Sequence, residues 1–302
     1  MLSFKEISLS DRQWADKLFK MGNNNSEEFN FSFCYIWKEV FSYKAARMND
    51  YIIIGSFKKW HPPAYLFPAG SGDIAPVLEE LKKTAEAVGD KLVFYCVLEP
   101  HKKLLETMYP GQFVFMELTD YYDYVYDAQS LITLSGKKLH GKRNHINRFK
   151  GYYSDWRYEP ITPELLPQVM EMNEKWHKEN EIYRDKTFDD ELKSVDNAIH
   201  DFFALGMDGG LIRAGGKVVA FSMGERLNFD TYLVHIEKAL TEVPGAYAII
   251  NQQFAQHNCG DFLYINREDD SGNEGLRKAK RSYRPVFMVE KYAAKLANKV
   301  SL

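Results

Sequence analysis

Residues 231–268 read TYLVHIEKALTEVPGAYAIINQQFAQHNCGDFLYINRE. The first nine, TYLVHIEKA, are β-branched and apolar enough for a central strand. LTEV is a loop, and Pro244 stands near the first turn of a helix that ends at Gly260. DFLYINRE then reads as a buried strand. Just upstream, GGLIRAGGKVVAFSMGERL (209–227) has the pattern of two antiparallel strands joined by a Gly215-Gly216 turn.

Further out, YIIIGSF (51–57), AYLFPAG (64–70), KLVFYCVL (91–98) and FVFMEL (113–118) are apolar runs bounded by turn residues, the mark of strands. IAPVLEELKKTAEAVG (74–89) and PHKKLLETMYPG (100–111) have helical spacing and end on Gly89 and on Pro-Gly. Helices are also expected around 162–180 and 188–206, a short one at GNEGLRKAKRSY and a last strand at PVFMVEKYAA. Both halves therefore alternate helix and strand. Division is expected near residues 128 to 150, giving an N-terminal domain (1–128), a basic connecting segment (129–150) and a C-terminal domain (151–302).

A chain of 302 residues suits two domains of ~150 residues each. With 45% apolar and 27% charged residues, extensive disorder is excluded. No run approaches the ~20 apolar residues of a membrane span, and MLSFKEISLSDRQW lacks the plan of a signal peptide. A cytoplasmic location is expected. Cys34, Cys96 and Cys259 are widely spaced with no C-x-x-C, so they read as core thiols.

Charge is segregated. Against a net charge of −3, GKKLHGKRNHINRFK (136–150) holds four lysines, two arginines and no carboxylate, and SGNEGLRKAKRSYR (271–284) holds five basic residues and one Glu. As a helix, the first segment aligns Leu139, Ile146 and Phe149 in one apolar stripe, with Lys142, Arg143 and Lys150 beside or within it and Lys137 and Arg148 on the far side. Cations flanking a buried stripe must snorkel or meet an anion. The anion is either a carboxylate of the acidic remainder or a phosphate of a ligand.

Three simpler motifs fail. DDSGNEGLRKAK, from Asp269, puts Glu274 and Lys280 where a calcium loop needs Gly and a bidentate Glu. AGGK lacks the first glycine and the Ser or Thr of a phosphate loop. The eight histidines form no H-x-x-x-H pair, so no metal site is expected.

The order of strand, loop, PGAY helix start and strand resembles the GNAT acyltransferases. LSGKKLHGKRNHINRF, HIEKALTEVPGAYAIIN and INREDDSGNEGLRKAKRSYRPV are similar to motifs of the DUF2156 family, whose fold is like that of the C-terminal domain of phosphatidylglycerol lysyltransferase. The resemblance runs from about Ser32 to Lys291. It implies a mixed α+β fold, a tandem of GNAT-like acyl-CoA N-acyltransferase domains, and transfer of an aminoacyl or acyl group to an amine or hydroxyl. Backbone N–H groups where strands splay would polarise the donor carbonyl, and a helix start, here Gly245-Ala246, would meet donor phosphates.

The chain departs from the GNAT loop Q/R-x-x-G-x-G/A, because TEVPGA carries Thr241 and Pro244, and Pro244 has no N–H to donate. This shifts the expected donor from acyl-CoA towards aminoacyl-tRNA or another large phosphorylated molecule, with no covalently bound cofactor. The lysyltransferase D-x-x-R pair is replaced by His235 and Lys238. Alternation puts His235 and Glu237 on one face of their strand, so these two are the base candidates. Lys137, Lys138, Lys142, Arg143, Arg148, Lys238, Arg277 and Lys280, with Gly245 and Ala246, are the candidate phosphate contacts. A CoA-dependent N-acetyltransferase and a non-catalytic binder of RNA or anionic lipid are the competing readings, tRNA and a peripheral anionic membrane being the partners implied.

Overall fold

The computed structural model describes residues 2–59, 61–181 and 186–297. In the first unit, strands β1 (Lys5–Glu6), β2 (Tyr43–Met48), β3 (Tyr51–Ser56), β4 (Ala64–Leu66), β5 (Ala69–Gly70), β6 (Val93–Val97) and β7 (Phe113–Glu117) alternate with helices. These are α1 (Arg12–Gly22), α2 (Phe31–Ile36), α3 (Lys38–Phe41), α4 (Ala75–Ala87) and α5 (Glu99–Met108). The second unit contains β8 (Asp123–Asp127), α6 (Ala128–Thr133), α7 (His140–Tyr152), β9 (Arg157–Pro160), α8 (Leu166–Asn180), α9 (Lys186–His200), β10 (Asp208–Ala214), β11 (Lys217–Arg226), β12 (Thr231–Ala239), α10 (Ala246–Asn258), β13 (Tyr264–Asn266) and α11 (Glu274–Arg281). β14 (Phe287–Val289) and β15 (Tyr292–Leu296) are the last strands among the described residues.

Each unit has its own sheet. The first runs β1-β2-β3-β4-β6-β15-β7 with β5 also on β3, and the second runs β14-β8-β13-β12-β11-β10-β9. Each contains a parallel pair, β4 with β6 and β12 with β13, joined through a helix, while β1–β2, β2–β3, β3–β4, β3–β5, β6–β15, β7–β15, β8–β13, β9–β10, β10–β11 and β11–β12 are antiparallel. Gly215 and Gly216 both take positive φ (56° and 75°) and close the β10–β11 hairpin.

Both units have large aromatic cores, with Phe29, Phe31, Tyr65 and Phe94 in the first and Tyr126, Phe149, Phe221, Tyr232 and Phe254 in the second. Fully burying such a side chain stabilises by about 1.5–3 kcal/mol. The three cysteines are free and buried.

The units are not contiguous segments. One comprises the chain up to Asp123, Asp269–Asn273 and the residues from Met288 on, and the other Tyr124–Glu268 and Glu274–Phe287. PVFMVEKYAA is accordingly not one strand but two, in different sheets: β14 lies beside β8, and β15 inserts between β6 and β7. The boundaries drawn at 128 and 150 also move. β8 pairs with β13, and the basic segment packs as α6 and α7 against α10 rather than linking domains.

Candidate functional site

The second sheet opens at its parallel pair. β12 and β13 are in register only over Thr231–Leu233 and Tyr264–Asn266, and β12 runs on through Val234–Ala239 with no strand on that side among the described residues. On its other side the register with β11 slips between Met223–Ile236 and Gly224–Val234, which leaves His235 as a bulge. The ring of His235 is 0% exposed although the residue as a whole is not buried, so it is main chain that His235 presents outward.

Glu237 points to the opening. Arg267, one residue past β13, donates from Nη2 to Glu237 Oε1 (2.9 Å), and Asn251 of α10 donates from Nδ2 to Glu237 Oε2 (2.9 Å). Lys142 of α7 lies 3.7 Å above the centre of the Tyr283 ring, and the Arg267 guanidinium is 4.8 Å from the same centre. Burial pulls the Lys142 amine down to about 8, helped by the charge of Arg267 and opposed by Glu237. Burial likewise pushes the Tyr126 and Tyr283 phenols up. Two polar atoms, Arg267 Nη1 and Asn251 Oδ1, are buried with no hydrogen-bond partner in the structure. In a native fold such orphans call for an explanation.

Lys280 supports this group from below. Its ammonium is turned inward and donates to the Arg267 carbonyl (2.6 Å), while Tyr126 Oη donates to the Lys280 carbonyl (2.8 Å). This corrects the reading of Lys280 as a phosphate contact. Arg277, on the same helix, pairs with Glu274 (2.8 Å).

His235 is not the base. Its Nδ1 meets Glu268 (2.9 Å) and its Nε2 meets Glu225 (3.3 Å). Burial opposes its charge, but the two carboxylates outweigh burial and hold it up at about 9. A raised folded pKa adds stability that is complete below 6.5 and is lost as pH rises through about 9. Roughly 3 kcal/mol is at stake. Denaturant titrations across that window are expected to show stability falling in the wild type and a flatter profile in His235→Gln; parallel profiles would remove the imidazolium.

The remaining candidates divide. Arg143 caps the end of α6 by donating from Nη1 to the Leu134 and Gly136 carbonyls, the latter at 2.8 Å. Lys238 is buried, 2.6 Å from Glu191 and 3.6 Å above the Trp176 ring. Both are thus held by the protein's own groups. Lys137, Lys138 and Arg148 are exposed.

The helix start is closed. Gly245 has φ 88°, and a Cβ there would come within 2.4 Å of the His145 carbonyl oxygen, so α7 lies on it. Ala246 is 0% exposed and donates its N–H to Val243 (3.1 Å). The preceding loop also carries Glu242, paired with Lys175. A carboxylate and a covering carbonyl are the wrong neighbours for a pyrophosphate, which corrects the reading of Gly245 and Ala246 as a phosphate cradle.

Sequence reasoning did not find Arg267, Asn251, Tyr283 or Tyr126. The INRE run that ends β13 was the available signal, since an Arg leaving an apolar strand beside a Glu has to find partners.

A parallel pair that parts beside a helix, in a mixed α+β unit, is the arrangement of the GNAT-like fold. The chain belongs to the family of phosphatidylglycerol lysyltransferase C-terminal domains, which matches residues 20–295. A conserved protein of unknown function from Bacteroides thetaiotaomicron is 38% identical, with 98% of this chain and 100% of that one covered at a TM-score of 0.93. The C-terminal domain (DUF2156) of a proposed lysylphosphatidylglycerol synthetase from Agrobacterium fabrum is 13% identical (TM-score 0.67), and the L-PGS of Bacillus licheniformis is 18% identical (0.66). Both cover 96% of this chain and 93% of the other, and at these identities the likeness is one of fold. An uncharacterized protein of Mycoplasmoides gallisepticum is 27% identical over 180 residues, and the chain spans 56% of the length of that curated relative. No helix among the described residues is long and apolar enough to cross a membrane.

Proposed function

We propose that the second unit transfers an aminoacyl or acyl group from a phosphate-bearing donor, aminoacyl-tRNA in the first instance, to an amine or hydroxyl in the cytoplasm. The observation that carries this reading is the parting of β12 from β13, with Glu237, Arg267, Asn251 and Lys142 gathered at the opening. The donor's carbonyl would lie along the unpaired β12 edge, where main-chain N–H groups can take up the charge that develops on its oxygen. The acceptor would donate to Asn251 Oδ1 and yield its proton to Glu237 as it attacks the donor carbonyl; the ester bond to the tRNA ribose would then break, with Glu237 returning the proton to the departing ribose oxygen, while the exposed Lys137, Lys138 and Arg148 would meet donor phosphates. The family supports this reading, since its name describes the moving of a lysyl group to phosphatidylglycerol.

The closed helix start weighs against acyl-CoA as donor. The test is incubation with total tRNA charged with labelled amino acids, offered phosphatidylglycerol vesicles or a primary amine. Label leaving the tRNA for either acceptor is the expected result. No transfer, together with a saturable rise in melting temperature on adding acetyl-CoA, would overturn it in favour of a CoA-dependent enzyme. Transfer absent with RNA or vesicles still bound would leave a non-catalytic binder.

A further inference from the structure

Two cationic groups of the second unit converge where one carboxylate, Glu237, is at hand. Arg267 is about nine-tenths buried (side chain 10% exposed), spends Nη2 on Glu237, and keeps Nη1 buried with no acceptor. Lys142 is half-buried against the face of Tyr283, with no carboxylate within ion-pair distance among the described residues. Burying a charge without a partner costs several kcal/mol unless the group is paired or gives up its proton. Glu237 is the carboxylate at hand, and both its oxygens are taken, by Arg267 and Asn251. Lys280, the other ammonium nearby, is engaged with the Arg267 main chain, and the Tyr126 and Tyr283 phenols, held neutral by burial, bring no negative charge.

We propose that Lys142 and Arg267 form a binding site for an oxyanion, a phosphate or carboxylate group of the substrate, over the ring of Tyr283. The proposal rests on the transfer reading only in taking the anion to be part of a substrate. An ammonium and a guanidinium N–H give the charge-assisted hydrogen bonds that such a group needs. Burial, and after it the charge of Arg267, lowers the proton affinity of Lys142, and an anion bound beside the ammonium would raise it. Among the cations of the two basic segments, Lys142 is thereby set apart from Arg143 and Lys280, whose charge the fold itself uses.

The experiment follows the titration of Lys142 by NMR in protein carrying carbon-13 at the lysine ε positions, assigned with Lys142→Met, in the presence of inorganic phosphate, of succinate or of chloride at equal ionic strength. Phosphate or succinate is expected to raise the Lys142 pKa by about one unit or more, as an opposite charge at ~4–6 Å does. Whichever acts tells a phosphate subsite from a carboxylate subsite. Lys142→Met is expected to weaken binding of that anion at least ~10-fold, and Lys150→Ala, at an exposed position of α7, to leave it unchanged. A titration that neither anion moves, or binding that Lys150→Ala weakens as much as Lys142→Met, overturns the proposal. Because nothing here requires turnover, anion binding without transfer would refute the enzyme reading alone, and transfer without anion binding would refute this one alone.

Discussion

Replacing Lys291 by Met is expected to destabilise the first unit by about 3–5 kcal/mol, a large share of the ~5–15 kcal/mol that holds an ordinary domain folded. The Lys291 side chain is 0% exposed, and its ammonium lies 2.5 Å from Asp123, 2.7 Å from Glu28 and 3.2 Å from Glu27. Burial opposes the charge, but the three carboxylates outweigh it and raise the Lys291 pKa well above the ordinary value. Burial also raises the Glu28 pKa, in spite of Lys291. Methionine fills the space and takes the cation away. Asp123, Glu27 and Glu28, with carboxylate oxygens within 4.8 Å of one another, would then repel without the Lys291 charge among them. Denaturant melts of the wild type and Lys291→Met measure the loss. Adding Glu28→Gln and Asp123→Asn to Lys291→Met should recover part of it, since neutral groups no longer repel. An unchanged midpoint in Lys291→Met would show that the cluster contributes nothing net.

That cluster also shows where the sequence stops being legible. Its members come from positions 27, 28, 123 and 291, and Cys96, at φ 52°, adds a thiol that donates to Glu28 (2.9 Å). No Gly, Pro or Asn marks a break near Lys291, so PVFMVEKYAA looks continuous, although Glu290-Lys291 is where the chain passes from one sheet to the other. Local periodicity held wherever the partner was close in sequence. The Gly215-Gly216 hairpin, α4, α5, α10 and the Leu139–Ile146–Phe149 stripe, all three side chains buried, followed from spacing alone.

The basic segments were legible as helices but not as contacts. Whether Arg143 meets a phosphate or the end of α6 depends on where Leu134 and Gly136 turn, and Lys280 faces the Arg267 carbonyl only because β13 ends there. Alternation along TYLVHIEKA likewise could not foresee a bulge at His235. It did single out Glu237, yet the partners of Glu237 lie 14 and 30 residues away. Such pairings are properties of the closed sheet.

Glu237→Gln is expected to lower turnover in the transfer reaction by about 10²–10⁴-fold, with far less effect on KM. Glutamine keeps the shape of the side chain and a carbonyl oxygen for Arg267 or Asn251, but it cannot take the acceptor's proton. Loss of turnover at near-constant KM is what removal of an interaction made only in the transition state produces. Glu237→Asp keeps the carboxylate while drawing it back by one methylene, so it should retain more activity than Glu237→Gln if proton transfer is the role. Arg267 complicates the substitution, because loss of Glu237 leaves its buried guanidinium without a carboxylate. Thermal melts are therefore needed on the same samples. A purely structural Glu237 would give a lower melting temperature and unchanged turnover per folded molecule, and glutamine and aspartate variants of equal turnover would likewise rule out the carboxylate as the group that receives the proton.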